Sequence, residues 1–269
     1  MLSVPIAIGL AVSIIATSFL SGLFGMAGGM VLMGLLLILL PVPAAMVLHG
    51  ITQVTSNGAR AWLWRTHIVW RVFAGYFVGA VAALGIFALI QFVPSKAVVL
   101  IFIGLAPLTA LAMPSGMMLN LLKPTHAAAC GLICTVLQLV AGVSGPIFDA
   151  FFVRSGMDRK AQVSTKAVAQ TFGHIVKLIY FGGIVVSDES YVEPAVMVVA
   201  VVTAIVGTWL SRRILEGMTD HGFRAWSQRI IVNLPEYDVS LGWLIMRPFF
   251  LPRQAPYFHL REPSRSSWG

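Results

Sequence analysis

Two stretches of the sequence place ionisable and amide side chains at helical spacing inside apolar surroundings. His49, Gln53, Ser56 or Asn57, and Arg60 recur at steps of three or four residues, as do Lys166, Gln170, Gly173 or His174, and Lys177. On an α-helix such residues share one face, so each stretch would present a polar, cationic stripe. The chemistry on offer is the binding of an anion, because basic side chains, carboxamides and hydroxyls all donate hydrogen bonds. Gln53 and Gln170 fall in mid-helix, with no route to water, and are the firmest candidates. His49 and Lys166 lie nearer the starts of their helices and Arg60 and Lys177 near the far ends. From the far ends long side chains snorkel to the headgroups, and that outward reach is the expectation for Arg60 and Lys177.

What must position these residues is a membrane. The chain is 58% hydrophobic and 10% charged, with a mean hydropathy of +0.88, whereas soluble domains carry about 25% charged residues. Apolar runs at 4 to 40, 72 to 93, 97 to 113, 126 to 153 and 192 to 210 are long enough for spans of about 20 residues. They predict an all-α, polytopic membrane helix bundle of about eight hydrophobic segments over residues 1 to 250. Its last segment, around 222 to 250, is poor, since Asn233, Pro235, Glu236 and Asp238 interrupt it. Residues 251 to 269, rich in Pro, Ser and Arg, read as a disordered basic tail. The N-terminus lacks a basic n-region and a small-residue cleavage site, so the first segment is expected to be retained.

A shift of 117 residues superposes two parts of the chain. Gly25-Met26-Ala27-Gly28-Gly29 falls on Gly142-Val143-Ser144-Gly145-Pro146, His49 on Lys166, Gln53 on Gln170, Asn57 on His174 and Arg60 on Lys177. The matches predict two repeats, about 4 to 118 and 124 to 235. Both glycine clusters interrupt apolar segments and predict broken helices. Non-helical backbone at membrane depth survives only where protein or a cavity satisfies it, and paired breaks point to a transporter's binding site. Gly25, Gly28, Gly29, Gly142, Ser144 and Gly145 therefore join the candidate substrate site, although the Gly25 to Gly29 spacing also suits plain helix packing. The two cationic faces are expected to enclose a watery chamber, because charged groups in a bilayer face a bundle interior or a cavity. Asp149, just after the second break, is the candidate coupling residue.

Loops with Arg65, His67 and Arg71, with Arg154, Arg159 and Lys160, and with Arg212, Arg213 and Arg224 should all face the cytoplasm. The acidic stretch at 187 to 193 then lies outside. Single crossings of eight segments cannot satisfy all three loops, so the sequence calls for a re-entering broken segment or for inverted halves. The net charge of +8 is a property of these loops and the tail, not a sign of nucleic-acid binding. Cys130 and Cys134, four apart, suit packing and suggest neither disulfide nor metal. No nucleotide-binding G-x-x-x-x-G-K-[ST] and no H-E-x-x-H occurs in the sequence, so neither a cofactor nor a metal is expected, and enzyme activity is not.

With its duplicated halves, GMAGG at 25 to 29 echoed by GVSGP at 142 to 146, Ala44 and Ala161 opening the next helices, and WRTHIVWR at 64 to 71, the chain resembles the TauE/SafE sulfite exporter family over residues 10 to about 225. Pro146 departs from the second motif, and the polar last segment from a clean final helix. The resemblance implies a permease of small anions, sulfite or organosulfur acids, with Gly25, Gly28, Gly29, Gly142 and Gly145 as motif residues. The expected protein is thus a secondary transporter in the inner (plasma) membrane of the cell, its partners a small anion and the lipid bilayer, with homo-oligomerisation left open. An intramembrane enzyme and a non-transporting membrane scaffold are the alternatives.

Overall fold

The computed structural model describes residues 4–24, 27–112, 120–153, 155 and 157–217. The predicted segment at 222 to 250 and the tail lie outside them, as does Gly25. Every regular element is helical: α1 (Val4–Phe24), α2 (Ala27–Leu39), α3 (Val42–Leu63), α4 (Trp70–Ile90), α5 (Lys96–Ala112), α6 (Pro124–Ala141), α7 (Gly145–Val153), α8 (Arg159–Ile179) and α9 (Pro194–Gly217), with short 3-10 and π turns between. Among the described residues, four stretches are apolar and long enough to cross a bilayer: Pro5–Leu23, Trp70–Ile90, Pro124–Ala141 and Asp188–Ile214. On their outer sides stand Ile8, Val78, Leu89 and Val198, all exposed, as a lipid-facing surface requires.

Local chemistry fixes the helix ends. Pro43 lies in the first turn of α3 and Pro124 in that of α6, where a missing N–H loses no hydrogen bond. Asp158 caps α8 by accepting from the Ala161 N–H at 3.0 Å. α6 stops at Gly142, whose positive φ of 75° makes it a left-handed cap, its N–H bonded to the Gln138 carbonyl at 3.0 Å.

The long apolar runs are folded hairpins. α2 is only 13 residues, about 20 Å at 1.5 Å per residue, and it doubles back along α1: Gly28 packs on the backbone of Thr17 and Ser21. α7, with 9 residues, lies between α6 and α8: Phe148 and Phe152 share a core cluster with Cys130 and Cys134 of α6, and Asp149 pairs with Lys166 of α8. The three non-helical residues 142 to 144 make the second predicted break.

Contact registers give the helix directions. Gly50 packs on Leu178 and Gly58 on Thr171, so α3 and α8 are antiparallel. Gly75 meets Pro124 and Ala127 while Gly79 meets Ala128 and Leu132, so α4 and α6 are parallel. Gly207 meets Ile15 and Ser18 while Gly22 meets Ser211, so α1 and α9 are parallel. α3 and α8 occupy the middle, with α1 and α9 on one side and α4 and α6 on the other.

These directions remove the orientation conflict posed by counting single segments. The short helices α2 and α7 each add a reversal, and the basic loops come together. Lys160 Nζ stands 5.7 Å above the Trp64 ring, the Val69 N–H donates to Thr165 Oγ1 at 2.9 Å, and Ser211 lies against Gly22 beside the end of α3. At the opposite end Pro41, Val93, Pro94, Lys96 and Glu189 line a cleft of about 440 Å³.

Candidate functional site

α3 and α8 differ from their neighbours in carrying polar side chains toward the bundle axis. At their crossing, Lys177 Nζ donates to His49 Nδ1 at 2.7 Å and to the Gly142 carbonyl at 3.1 Å. His49 Nε2 lies 2.8 Å from the Gly29 carbonyl, which only accepts, so the ring is neutral and its Nε2 carries the proton. Gly29 is in the first turn of α2 and Gly142 ends α6. One chain of hydrogen bonds therefore ties both glycine clusters to both polar helices.

Around this chain the polar faces interlock. The His49 and His174 rings meet edge to face with centroids 5.4 Å apart. Gln138 Nε2 lies 3.3 Å from His174 Nε2, and Asn57 Nδ2 donates to Gln53 Oε1 at 3.2 Å. Arg60 Nη2 donates to the Ser21 carbonyl at 2.7 Å. Lys166 makes an ion pair with Asp149.

Several sequence expectations are corrected here. Arg60 and Lys177 do not snorkel. Lys177 is 0% exposed and Arg60 7%, because α3 and α8 run through the bundle and their far ends are walled by α1 and α6. The two faces do not stand apart across a chamber, since Lys177, His49 and His174 bring them into direct contact. Asp149 is not a free carboxylate, because Lys166 on the facing helix neutralises it. Ser56 turns to Thr208 of α9, its hydroxyl 2.9 Å away, and so leaves the shared face. Gly28 serves the α1 and α2 hairpin.

His49, Gln53, Asn57, Gln170 and His174 are all buried, and Ser144 and Gly145 sit buried at the second break. Gln138, Tyr76 and Ser21 escaped the sequence reading. The same shift of 117 would have found Gln138 and Ser21, which it superposes, as it does Thr135 and Ser18, polar on polar within apolar helices; it gives no such match for Tyr76. Cys130 and Cys134, with sulfurs 3.9 Å apart, pack among Tyr76, Phe148 and Phe151, as their spacing suggested.

The electrostatics are one-sided. Burying a cation at membrane depth costs at least about 2.5 kcal/mol, yet among the described residues no carboxylate lies within 4.0 Å of Lys177 or Arg60. Gln53 Nε2, Arg60 Nε and His174 Nδ1 are buried donors without a partner, joined by the Ser144 hydroxyl and by the acceptors Asn57 Oδ1, Gln138 Oε1 and Gln170 Oε1. An unmet buried polar group costs about 1–3 kcal/mol.

Broken hairpins and central polar helices in an apolar shell define a polytopic helical membrane protein. The model of the sulfite exporter TauE/SafE family matches residues 10–228. The chain belongs to that family, a family of membrane transporters. No curated protein and no solved structure matches the chain.

Proposed function

We propose that the protein is a secondary transporter of small oxyanions, sulfite or an organosulfur acid, in the inner (plasma) membrane, and that the anion binds between α3 and α8. The observation that carries this reading is the pair of buried basic side chains, Lys177 and Arg60, with no carboxylate within 4.0 Å among the described residues. An anion would supply the missing charge and acceptors for Gln53 Nε2, His174 Nδ1 and Ser144 Oγ, groups that donate to oxygen. Gly29, Gly142 and Gly145 bring backbone close to the same place, and Gln170 and Asn57 complete the wall. The glycine breaks put the starts of α2 and α7 beside this surface, where helix dipoles favour negative charge.

Two repeats related by an in-plane axis, with sequence bounds of about 4 to 118 and 124 to 235, are part of this proposal. α1, α2 and α3 have counterparts in α6, α7 and α8, the partners α1 with α9 and α6 with α4 exchange, and α3 and α8 run antiparallel. Rocking of such halves about a midplane site is a known route to alternating access, and the observed packing then corresponds to its closed stage. The positive-inside rule sets the end bearing Arg65, Lys160 and Arg213 in the cytoplasm.

The test is counterflow of radiolabelled sulfite into proteoliposomes preloaded with unlabelled sulfite. Exchange above that of empty liposomes, abolished in Lys177→Met and Gln53→Ala proteins that remain monodisperse, is expected. Equal exchange in wild type and both variants would overturn the site.

A further inference from the structure

The hydrogen-bond valence of Lys177 carries a further conclusion, which rests on the anion-transport reading above. A neutral amine has two N–H groups and an ammonium three. Lys177 finds two acceptors, His49 Nδ1 at 2.7 Å and the Gly142 carbonyl at 3.1 Å. A third N–H has no acceptor among the described residues. His49 cannot take the extra proton while Lys177 is charged, because two cations at 2.7 Å in a site 0% exposed repel too strongly for both to ionise.

Among the described residues, the polar groups carried by the elements packed about this pair are neutral or basic, apart from Asp149. α8 contributes His174 and, further along, Lys166, whose charge Asp149 of α7 already balances. α3 contributes Arg60, bonded to α1 through the Ser21 carbonyl. α6 contributes Gln138 and the Gly142 carbonyl, α2 the Gly29 carbonyl, and α4 the Tyr76 hydroxyl. No described carboxylate is left to hold one more positive charge on the pair.

We propose that Lys177, with His49, is the proton carrier that couples transport. An oxyanion between α3 and α8 gives Lys177 both a counter-charge and the acceptor for a third N–H. The proton comes from water on the side then open, forms a bond to the Nζ lone pair, and returns to water when the anion leaves on the other side. One proton therefore crosses with each anion, and a monoanion crosses without net charge. Coupling falls to this pair in place of the ion-paired Asp149.

The test uses the full chain in proteoliposomes, with sulfite held where bisulfite predominates. Counterflow first establishes exchange. Potassium gradients with valinomycin then set the membrane potential, and an acid outside sets a pH gradient. Uptake above equilibrium is expected from the pH gradient and not from an inside-positive potential. Lys177→Arg, whose guanidinium does not release its proton, is expected to lose gradient-driven accumulation, and its residual exchange should not vary with pH. Uptake driven by potential and indifferent to pH would overturn the proton carrier while leaving transport intact. So would gradient-driven accumulation by the arginine variant equal to wild type. Absence of counterflow in the wild type would instead sink the transport reading beneath it.

Discussion

Gly28 and Gly29 are neighbours in α2 that face different things, and one methyl group on each separates packing from transport. A Cβ on Gly28 would fall inside the contact distance of the Thr17 carbonyl oxygen and 2.7 Å from the Ser21 nitrogen. Both are backbone atoms of α1, so the hairpin itself would have to open. Overpacking costs about 1–3 kcal/mol, and the helix preference of Ala over Gly returns at most about 1 kcal/mol. The atoms nearest a Cβ on Gly29 belong to the Gln53 carboxamide, at 3.4–3.5 Å, which is ordinary contact. There the helix preference dominates and stability holds or rises. That methyl group nonetheless occupies the space before Gln53 Nε2, an orphaned donor. Losing one such hydrogen bond to a charged group is worth about 1.5–3 kcal/mol, roughly 10- to 100-fold in anion affinity at about 1.4 kcal/mol per decade. Thermal unfolding in detergent and sulfite counterflow read the two effects. Gly28→Ala should lower Tm by roughly 2–8 °C, and Gly29→Ala should keep its Tm and raise the KM for sulfite. Equal loss of Tm in both, or wild-type KM in Gly29→Ala, would refute the reasoning.

Gly142→Ala forces an alanine to adopt φ 75° and sets its Cβ 2.8 Å from Met33 Sδ and 3.0 Å from Met46 Sδ. The left-handed conformation alone costs about 1–2 kcal/mol, so a lower Tm by fluorescence is expected. Asp149→Asn leaves Lys166 without its counter-charge. Breaking a buried pair costs about 3–5 kcal/mol, an upper bound here because the two side chains retain 11% and 14% exposure. The double variant Asp149→Leu with Lys166→Met should recover most of the loss in the same melt. Single cysteines at Thr66, Lys160 and Arg213 should react with an impermeant maleimide only in permeabilised cells, and one at Glu189 in intact cells. Labelling of Lys160 and Glu189 positions from the same side would contradict the helix directions.

The membrane bundle and its polar faces were legible because their signals are local. A helix repeats every 3.6 residues, so Gln53 and Gln170 announce a shared face without any knowledge of neighbours. The hairpin of α1 and α2 was harder, since 4 to 40 is one unbroken apolar run and only the glycines mark its turn. Lys177 and Arg60 were misread because snorkelling depends on what surrounds a helix end, and that is tertiary information. The pairing of Asp149 with Lys166 was hidden for the same reason: the packing of the nine-residue α7 between its neighbours sets the register. Ser56 illustrates a finer limit, where one step around the helix moves a hydroxyl from α8 to α9. Gln138 was readable in principle, but its counterpart Ser21 differs in size and looks like a helix-packing serine.

The central claim is that a small oxyanion binds between α3 and α8 against Lys177. Selenite replaces sulfite with a heavier centre that scatters anomalously, so diffraction from crystals soaked in selenite locates the anion directly. The account predicts one anomalous peak within hydrogen-bond reach of Lys177 Nζ and Gln53 Nε2, lost in Lys177→Met crystals. A peak only at the basic loops near Lys160 and Arg213, with selenite transport intact, would contradict it.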